Sequence, residues 1–230
     1  MIDINLKYIK DNYIEFEEVI KTANISLDKL NQLIESQLVP GPSYIINSEI
    51  NISSSLNDNH RIIVVEKYFH PSVLELIKKN ADNANPEKFK LEFKENLLSN
   101  LKNHPHKAFA YGNVFDANEN LDNEKVEKAL EEEWNHYCNG VYGICTLNNN
   151  ENAIIDKEIA IKRILSFIEK KSTSLTDDEK LELQDLNVEF NKSTSSFAPY
   201  QRELSSRGKY LDKLLREFSL DNLVKEYEEI

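Results

Sequence analysis

Two short stretches near the start of the chain carry apolar residues every three or four positions, which is the spacing of amphipathic helices. These residues lie at positions 16, 19, 20 and 23 and at positions 27, 30, 33 and 34. Ser26 precedes the second stretch, where its hydroxyl oxygen can cap a helix. After Pro-Gly-Pro at residues 40–42, apolar residues at 44–46 and 61–69 indicate two strands. The pattern predicts helix, tight turn, helix and β-hairpin.

From residue 70 onward the apolar pattern is mainly helical. Helix-start signals, including first-position prolines and a Thr-Asp-Asp-Glu capping box, predict helices beginning near residues 71, 86, 123, 156, 176, 201 and 219. The last of these is expected to run to the end of the chain. Residues 108–114 fit either a short strand or an extended core segment. The acidic triplet at residues 131–133 is expected on the solvated flank of its helix.

The order of elements in the first third of the chain resembles the winged helix-turn-helix of MerR-type regulators. The predicted fold class is mainly α, with a winged-helix-like unit and small β-hairpin at residues 1–80 and a larger α-helical domain at residues 81–230 that carries the candidate site. Charge argues against DNA binding, because residues 1–80 hold eight Lys/Arg and eleven Asp/Glu, a net charge of -3. The favoured interpretation is a packing module.

The overall charge narrows the classes of partner. A formal net charge of -12 argues against nucleic acid and anionic membranes, since both are bound through basic faces. No apolar run approaches the roughly 18 residues that span a bilayer, and the start lacks a signal-peptide pattern. Two cysteines are too few for the disulfide framework of a small secreted domain. A soluble, cytoplasmic protein with reduced thiols is expected.

The first candidate site is a locally basic stretch. Residues 196–217 carry five Lys/Arg and three Asp/Glu, a net charge of +2. Within it lie Tyr200, Arg202, Ser205, Ser206 and Arg207, and a helix opened by a proline would place the arginines and serines within one or two turns. Such a cluster can bind a carboxylate or phosphate. The alternative is that the arginines tie down a loop by binding carbonyls and nearby acidic side chains.

The second candidate site is an aromatic turn at residues 134–145. Gly140 and Gly143 allow a tight turn that brings together His136, Tyr142 and Cys145. His136 is a candidate acid or base, because its reference pKa lies near neutrality. The alternative is a helix end packed with aromatic side chains, in which Cys145 is a small buried apolar residue.

The remaining histidines do not form a recognisable metal site. His104 and His106 could ligate one ion from an extended segment, but no carboxylate or cysteine at ligand spacing completes the set. His70 precedes a proline and fits the start of a helix, and its aromatic neighbours could place it in a pocket. No metal and no cofactor are expected.

Several motifs together resemble an uncharacterised bacterial family, some of whose members are linked to natural-product biosynthesis. The motifs are Pro40-Gly-Pro-Ser-Tyr44, Tyr68-Phe-His-Pro71, Trp134 with Gly140-Val-Tyr-Gly-Ile-Cys145, Lys157-Glu158, and Phe197-Ala-Pro with Arg202 and Ser205-Ser-Arg207. The resemblance spans most of the chain and implies a pathway context. Where the family is expected to read Ala-Pro-His-Glu-Arg, this chain has Ala-Pro-Tyr-Gln-Arg, so no mechanism that needs a histidine at position 200 is carried over.

Two functional hypotheses follow. The first is a cofactor-independent enzyme that performs cyclisation or dehydration on a small polar or anionic metabolite in a natural-product pathway. Its candidate catalytic residues are His70, His136 and Tyr142, and its candidate substrate-binding residues are Tyr44, Tyr200, Arg202, Ser205, Ser206 and Arg207. The second is a non-catalytic binding or adaptor protein with a winged-helix-like module, in which the arginines are structural. A homo-oligomer is compatible with either.

Overall fold

The computed structural model of the protein describes residues 3–82, 85–106, 114–116, 118 and 120–227. Residues 108–113, which the sequence assigns to a strand or an extended segment, lie outside this part. Helices dominate the described residues, and a three-stranded antiparallel sheet accompanies them. The mainly α fold class with a small hairpin is confirmed. No helix within the described residues is long and apolar enough to cross a membrane.

The N-terminal part contains the predicted helix, turn, helix and hairpin. Its elements are α1 (Ile4–Asn12), β1 (Ile14–Glu15), α2 (Phe16–Ala23), α3 (Leu27–Glu35), β2 (Tyr44–Ser53) and β3 (Asn59–Phe69). Ser26 caps α3 as expected, since its Oγ accepts the backbone N–H of Lys29 at 3.1 Å. The sheet order is β1-β3-β2, so β2 is an edge strand. The resemblance to MerR-type regulators stays a prediction.

The rest of the described chain is helical, with long helices first and short pieces towards the end. The elements are α4 (Val73–Asn80), α5 (Pro86–Asn103), α6 (Asn123–Cys138), α7 (Val141–Cys145), α8 (Glu151–Lys170), α9 (Asp177–Ser193), α10 (Pro199–Arg202), a π-helical turn (Arg207–Asp212), α11 (Lys213–Glu217) and a 3-10 turn (Asp221–Leu223). Thr176 and Glu179 form the predicted capping box. The helix predicted from Ser219 to the end is wrong, because Ser219 has a φ of 59° and ends α11 instead.

Two large apolar clusters form the core, and α8 contributes to both. The first includes Val19, Leu30, Phe93, Trp134 and Ile155. The second lies among the later part of α8, α9 and the segments that follow α10. Because the first cluster joins residues from both sides of position 80, the two-domain division remains a prediction.

A smaller cluster, made mostly of tyrosines, packs the N-terminal helix and the sheet against residues near α10. Tyr8 and Tyr13 pack with Tyr44, Tyr68 and Ala198. α1 and the sheet are thereby held against the residue that precedes α10. The same packing brings the connection between α9 and α10 close to the start of α4, where a cleft opens.

Candidate functional site

The cleft has a volume of about 590 Å³ and is lined by residues from five separate parts of the chain. These parts are α1, the start of α4, the connection between α7 and α8, the connection between α9 and α10, and the C-terminal segment. Phenol, hydroxyl and amide groups dominate the walls, and Glu75 is the carboxylate among them. No Lys or Arg lines the cleft in the described part of the chain. Its chemistry therefore suits an uncharged polar molecule better than an anion.

His70 and Ser72 form a hydrogen-bonded pair in the wall of this cleft. Ser72 Oγ lies 2.9 Å from His70 Nδ1, and the backbone N–H of Ser72 donates to the same nitrogen at 3.2 Å. Because Nδ1 accepts, the proton of the neutral ring is assigned to Nε2. Partial burial lowers the pKa of His70, while a hydrogen bond with the Leu147 backbone opposes this shift. The imidazole is therefore neutral at pH 7 and can accept a proton at Nδ1 from the Ser72 hydroxyl.

Asn149 directs the hydroxyl of Ser72. Its Nδ2 donates to Ser72 Oγ at 3.3 Å, and its backbone N–H donates to Thr146 Oγ1 at 3.1 Å. The residue has a φ of 45°, a left-handed conformation that asparagine tolerates better than most residues. Its buried Oδ1 has no hydrogen-bond partner within the described residues. Because Ser72 Oγ accepts from Asn149, its own proton is directed to His70.

Tyr8 and Tyr13 form a further part of the cleft wall and keep their protons. Tyr13 donates to the carbonyl of Gly143 at 3.0 Å, and its ring lies 6.4 Å from that of His70. Burial is the main cause that raises the pKa of Tyr13 and of Tyr8, so both phenols are donors throughout the physiological range. Tyr44 lies one layer behind this wall, where its ring packs 4.7 Å from that of Tyr13 and its hydroxyl donates to Gln201 at 2.7 Å.

Gly143 allows α7 to pass close to His70. A Cβ at this position would clash with Ser43 Oγ and lie 3.0 Å from His70 Cβ. We expect Gly143→Ala to lower the free energy of unfolding by about 1–3 kcal/mol, because overpacking in a close contact forces neighbours to shift. Chemical denaturation measures this loss, and the imidazole NMR signals of His70 should move with it. Gly41→Ala is the control, because a Cβ there makes an ordinary 3.4 Å contact with the Cys138 carbonyl. Equal losses in both variants would show that the close contact between Gly143 and its neighbours is not the cause.

Arg207 holds the loop that carries one side of the cleft. The side chain is 1% exposed, and its Nε and Nη2 donate to the carbonyls of Ser195 and Thr194 at 3.1 and 3.3 Å. Its Nη1 donates to Asn191 Oδ1 at 2.6 Å, and the guanidinium lies 5.0 Å from the centre of the Phe190 ring. Burial lowers the pKa of Arg207 to about 10, so it stays charged at pH 7. These contacts fit the structural alternative for the arginine.

Arg202 supports the same loop from the other side. Its Nη1 donates to the carbonyl of Ser196 at 2.7 Å, and its Nε and Nη2 bind the carboxylate of Asp212 at 2.6 and 3.1 Å. Asp212 is buried, so this forked pair is shielded from water. Through these contacts Arg202 and Arg207 hold the backbone of Ser195 and Ser196, both of which line the cleft, and the assignment of the two arginines as substrate-binding residues stays a prediction.

The other residues of the predicted anion site lie outside the cleft. Ser205 Oγ donates to the Arg202 carbonyl at 2.7 Å and accepts the N–H of Gly208, which closes a turn. Ser206 follows in that turn, and Tyr200 is 58% exposed. Their assignment as substrate-binding residues stays a prediction.

Arg202 also borders a second groove, which is the place where the predicted anion site would lie. The groove has a volume of about 730 Å³ and includes Lys209, Lys213 and Arg216. Two of its four cations are already paired, since Arg202 binds Asp212 and Arg216 binds Glu226. The groove therefore keeps little net positive charge for an anionic ligand.

The aromatic turn is a packed helix end whose Gly143 lines the cleft, whereas His136, Tyr142 and Cys145 do not. His136 is exposed on α6, and its ring lies 6.4 Å from that of the buried Tyr142. Cys145 is buried, its thiol donates to the Val141 carbonyl at 3.2 Å, and burial raises its pKa. A thiol of this kind is a poor nucleophile. Of the three predicted catalytic residues, His70 lines the cleft, whereas His136 and Tyr142 do not.

Beside this turn lies a buried charge cluster that the pattern of residues did not predict. Lys157 Nζ lies 3.0 Å from Glu158 Oε1 and 5.7 Å from the centre of the Tyr142 ring. Glu133 was expected on the solvated flank of α6, but it is only 9% exposed. The expectation is wrong for this residue because its side chain lies three residues from Leu130 and four from Tyr137, on the apolar face. Burial, with the charge of Glu158, raises the pKa of Glu133 to about 8.

The histidines of the α5 end do not gather metal ligands within the described residues. The rings of His104 and His106 lie 5.8 Å apart, and His104 Nε2 is 3.8 Å from Asp156 Oδ1. No group of three or more potential His, Cys, Asp or Glu ligands comes together in that part of the chain.

Comparison with known proteins places the chain in a family. The DUF6058 family, described as a family of unknown function, matches residues 89–219, and the chain belongs to it. No curated protein and no solved structure matches the chain. The matched residues include the two connections that line the cleft near Thr146 and Ser195. His70, Ser72 and Tyr13 precede the matched region.

Proposed function

We propose that the protein is an enzyme that transfers a proton to or from a small, uncharged polar metabolite bound in the cleft. The observation that carries the proposal is the pair of His70 and Ser72, with a neutral imidazole that accepts from a hydroxyl in the cleft wall. The tyrosine hydroxyls of the cleft would orient the substrate through hydrogen bonds, and Tyr13 would take part as an acceptor because its own proton is donated to the Gly143 carbonyl. The lining of the cleft, which contains no Lys or Arg among the described residues, supports an uncharged substrate over an anion.

The chemistry is general acid–base catalysis through the Ser72 hydroxyl. Ser72 Oγ takes a proton from the substrate while its own proton passes to His70 Nδ1, which becomes part of an imidazolium. The reverse transfer returns the proton to the product and restores the neutral ring. Cyclisation and dehydration both need such a transfer, so both hypotheses of reaction type remain, as does the natural-product context implied by the resemblance.

The proposal predicts a specific loss of activity. The assay incubates the purified protein with a protein-free bacterial metabolite extract and follows consumed and formed masses by mass spectrometry. We expect His70→Gln and Ser72→Ala each to slow the conversion at least about 100-fold, the usual contribution of a positioned acid or base. The rate should fall as pH drops through the lowered pKa of His70, below 6.5, because the imidazolium cannot accept a proton.

His136→Gln is the matched control, because it removes an exposed imidazole that does not line the cleft. It should leave the conversion unchanged. A conversion that survives both His70→Gln and Ser72→Ala, or that is lost in His136→Gln as well, would contradict the proposed site.

The second candidate function is a non-catalytic binding or adaptor protein. The apolar side chains exposed along β2 and β3 favour it, since such surfaces often mark protein contacts. In that case a ligand of the cleft would bind without being converted. Recovery of an unchanged metabolite from the purified protein, with no conversion at any pH, would support this candidate over the enzyme.

A further inference from the structure

β2 and β3 form a long two-stranded ribbon whose outer part is open to solvent. Residues 49–61 are all exposed, and β1 pairs with β3 only at Tyr68 and Phe69. The exposed fraction is 42–71% for five aliphatic side chains of the ribbon, namely Ile45, Ile50, Ile52, Ile63 and Val65. Isolated two-stranded hairpins are marginally stable in water. A ribbon of this length with exposed isoleucines is therefore expected to have a partner.

The outer edge of β2 lacks the features that usually prevent strand pairing. Proteins protect edge strands with lysines, prolines, bulges or covering elements. β2 contains one charged residue, Glu49, and neither lysine nor proline. No described strand pairs with its outer side, and its pairing with β3 runs without a bulge from Tyr44 to Ser53. Its outer N–H and C=O groups are available to another strand.

We propose that β2 pairs antiparallel with β2 of a second copy of this chain, around a two-fold axis at Ser48. This register places Ile46 opposite the partner's Ile50 on one face, and Asn47 opposite the partner's Glu49 on the other. Over residues 46–50 apolar side chains then meet apolar ones and an amide donor meets each carboxylate, whereas Ile45 lies opposite the partner's Asn51. A shift of two residues towards Ser53 would set Glu49 against its own copy, which like-charge repulsion disfavours. The central residues 46–50 of the strand are therefore self-complementary in this register.

The size of the contact predicts a reversible dimer. Pairing of residues 45–51 with the same residues of the copy extends over about 23 Å and creates a four-stranded sheet. The contact is smaller than the roughly 800 Å² per partner of a standard stable interface. A dissociation constant of about 1–100 µM is therefore expected.

The association is tested by sedimentation velocity over a concentration series that spans this constant. Wild-type protein should shift from monomer to dimer. Ser48→Lys should stay monomeric, with its dissociation constant raised at least about tenfold, because two lysines would face each other across the axis. Ile63→Lys is the control, because it adds the same charge on β3, away from the outer edge of β2. It should dimerise like the wild type, and circular dichroism checks that both variants fold.

The register is tested by disulfide trapping in a Cys138→Ser background. Ser48→Cys should form a cross-linked dimer under mild oxidation, because the two cysteines would be directly opposite across the axis. Asn51→Cys should not, since its copy would lie about 20 Å away along the paired strands. Cys145 is buried, and the background protein without a new cysteine reports any contribution from it.

Three results would overturn the proposal. The first is a wild-type protein that stays monomeric throughout the concentration series, which would leave the ribbon to a different protein. The second is a dimer that survives Ser48→Lys but is lost in Ile63→Lys, which would indicate stacking of ribbon faces. The third is equal cross-linking by Asn51→Cys and Ser48→Cys, which would exclude the two-fold axis at Ser48.

Discussion

Arg207→Met is expected to lower the free energy of unfolding by about 3 kcal/mol. The substitution keeps the length of the side chain but removes the donors that satisfy the carbonyls of Thr194 and Ser195 and the amide oxygen of Asn191. Each buried acceptor left without a partner costs about 1–3 kcal/mol, and relief of the buried charge offsets part of that loss. Chemical denaturation at pH 7 measures the change.

Two further variants separate a structural role of Arg207 from a ligand-binding one. Arg216→Met removes an exposed ion pair with Glu226 and should change stability by less than about 1 kcal/mol. Arg207→Lys should remain strongly destabilised, because an ammonium cannot reproduce the fork of the guanidinium. If Arg207→Met kept its full stability and lost only ligand binding, Arg207 would be a substrate-binding residue and the positioning role would be wrong.

Glu133→Gln is expected to stabilise the protein by a few kcal/mol at pH 9 and to have little effect near pH 4.5. The pKa of Glu133 rises from 4.5 to about 8 in the folded protein, chiefly through burial and then through the charge of Glu158. Each unit of such a shift corresponds to about 1.4 kcal/mol. The folded state therefore binds more protons than the unfolded chain between these values, and stability falls as pH rises through that window.

The groups that face Glu133 set the size of this effect. Lys157 opposes the shift, whereas Glu158 and Glu132 add to it. Denaturation of the wild type and the variant from pH 5 to pH 9 measures the difference. Glu124→Gln is the control, because its side chain is exposed on the same helix and is not one of the charges that shift the pKa of Glu133. It should show no difference that grows with pH. A wild-type stability that stays level from pH 5 to pH 8 would contradict the buried, protonated state of Glu133.

Local signals in the sequence were sufficient for the fold class and several helix ends. Ser26, Asn85 with Pro86, and Thr176 with Glu179 act within three or four residues, and each caps the helix predicted for it. The structure of the C-terminal residues was harder to predict. Here Arg202 binds Asp212, Arg207 binds Asn191, and both bind backbone carbonyls of residues 194–196. These contacts accompany a π-helical turn, and the spacing of apolar residues in the sequence gives no sign of them.

The cleft could be predicted only in part. His70 was recognised as a candidate, but its partner Ser72 was not, although it lies two residues further on. Tyr8, Tyr13 and Tyr227 were missed because they reach the site through the tertiary contacts of α1 and of the C-terminal segment. The polar residues 191–196, which interrupt the apolar pattern after α9, were the sequence feature that could have indicated a loop at Ser195 and Ser196. The arginines were found by composition, but composition does not reveal that their donors point to backbone carbonyls.

The most direct test of the proposed acid–base site is the protonation state of the His70 imidazole in the cleft. Nitrogen-15 NMR of the labelled protein reports the tautomer and pKa of each ring, and the spectrum of His70→Gln assigns the signal. We expect a neutral ring at pH 7 with its proton on Nε2, a pKa lowered below its ordinary value of 6.5, and a change of the Nδ1 signal in Ser72→Ala. A ring that is protonated at pH 7, or that carries its proton on Nδ1 and does not respond to Ser72→Ala, would contradict the proposed site.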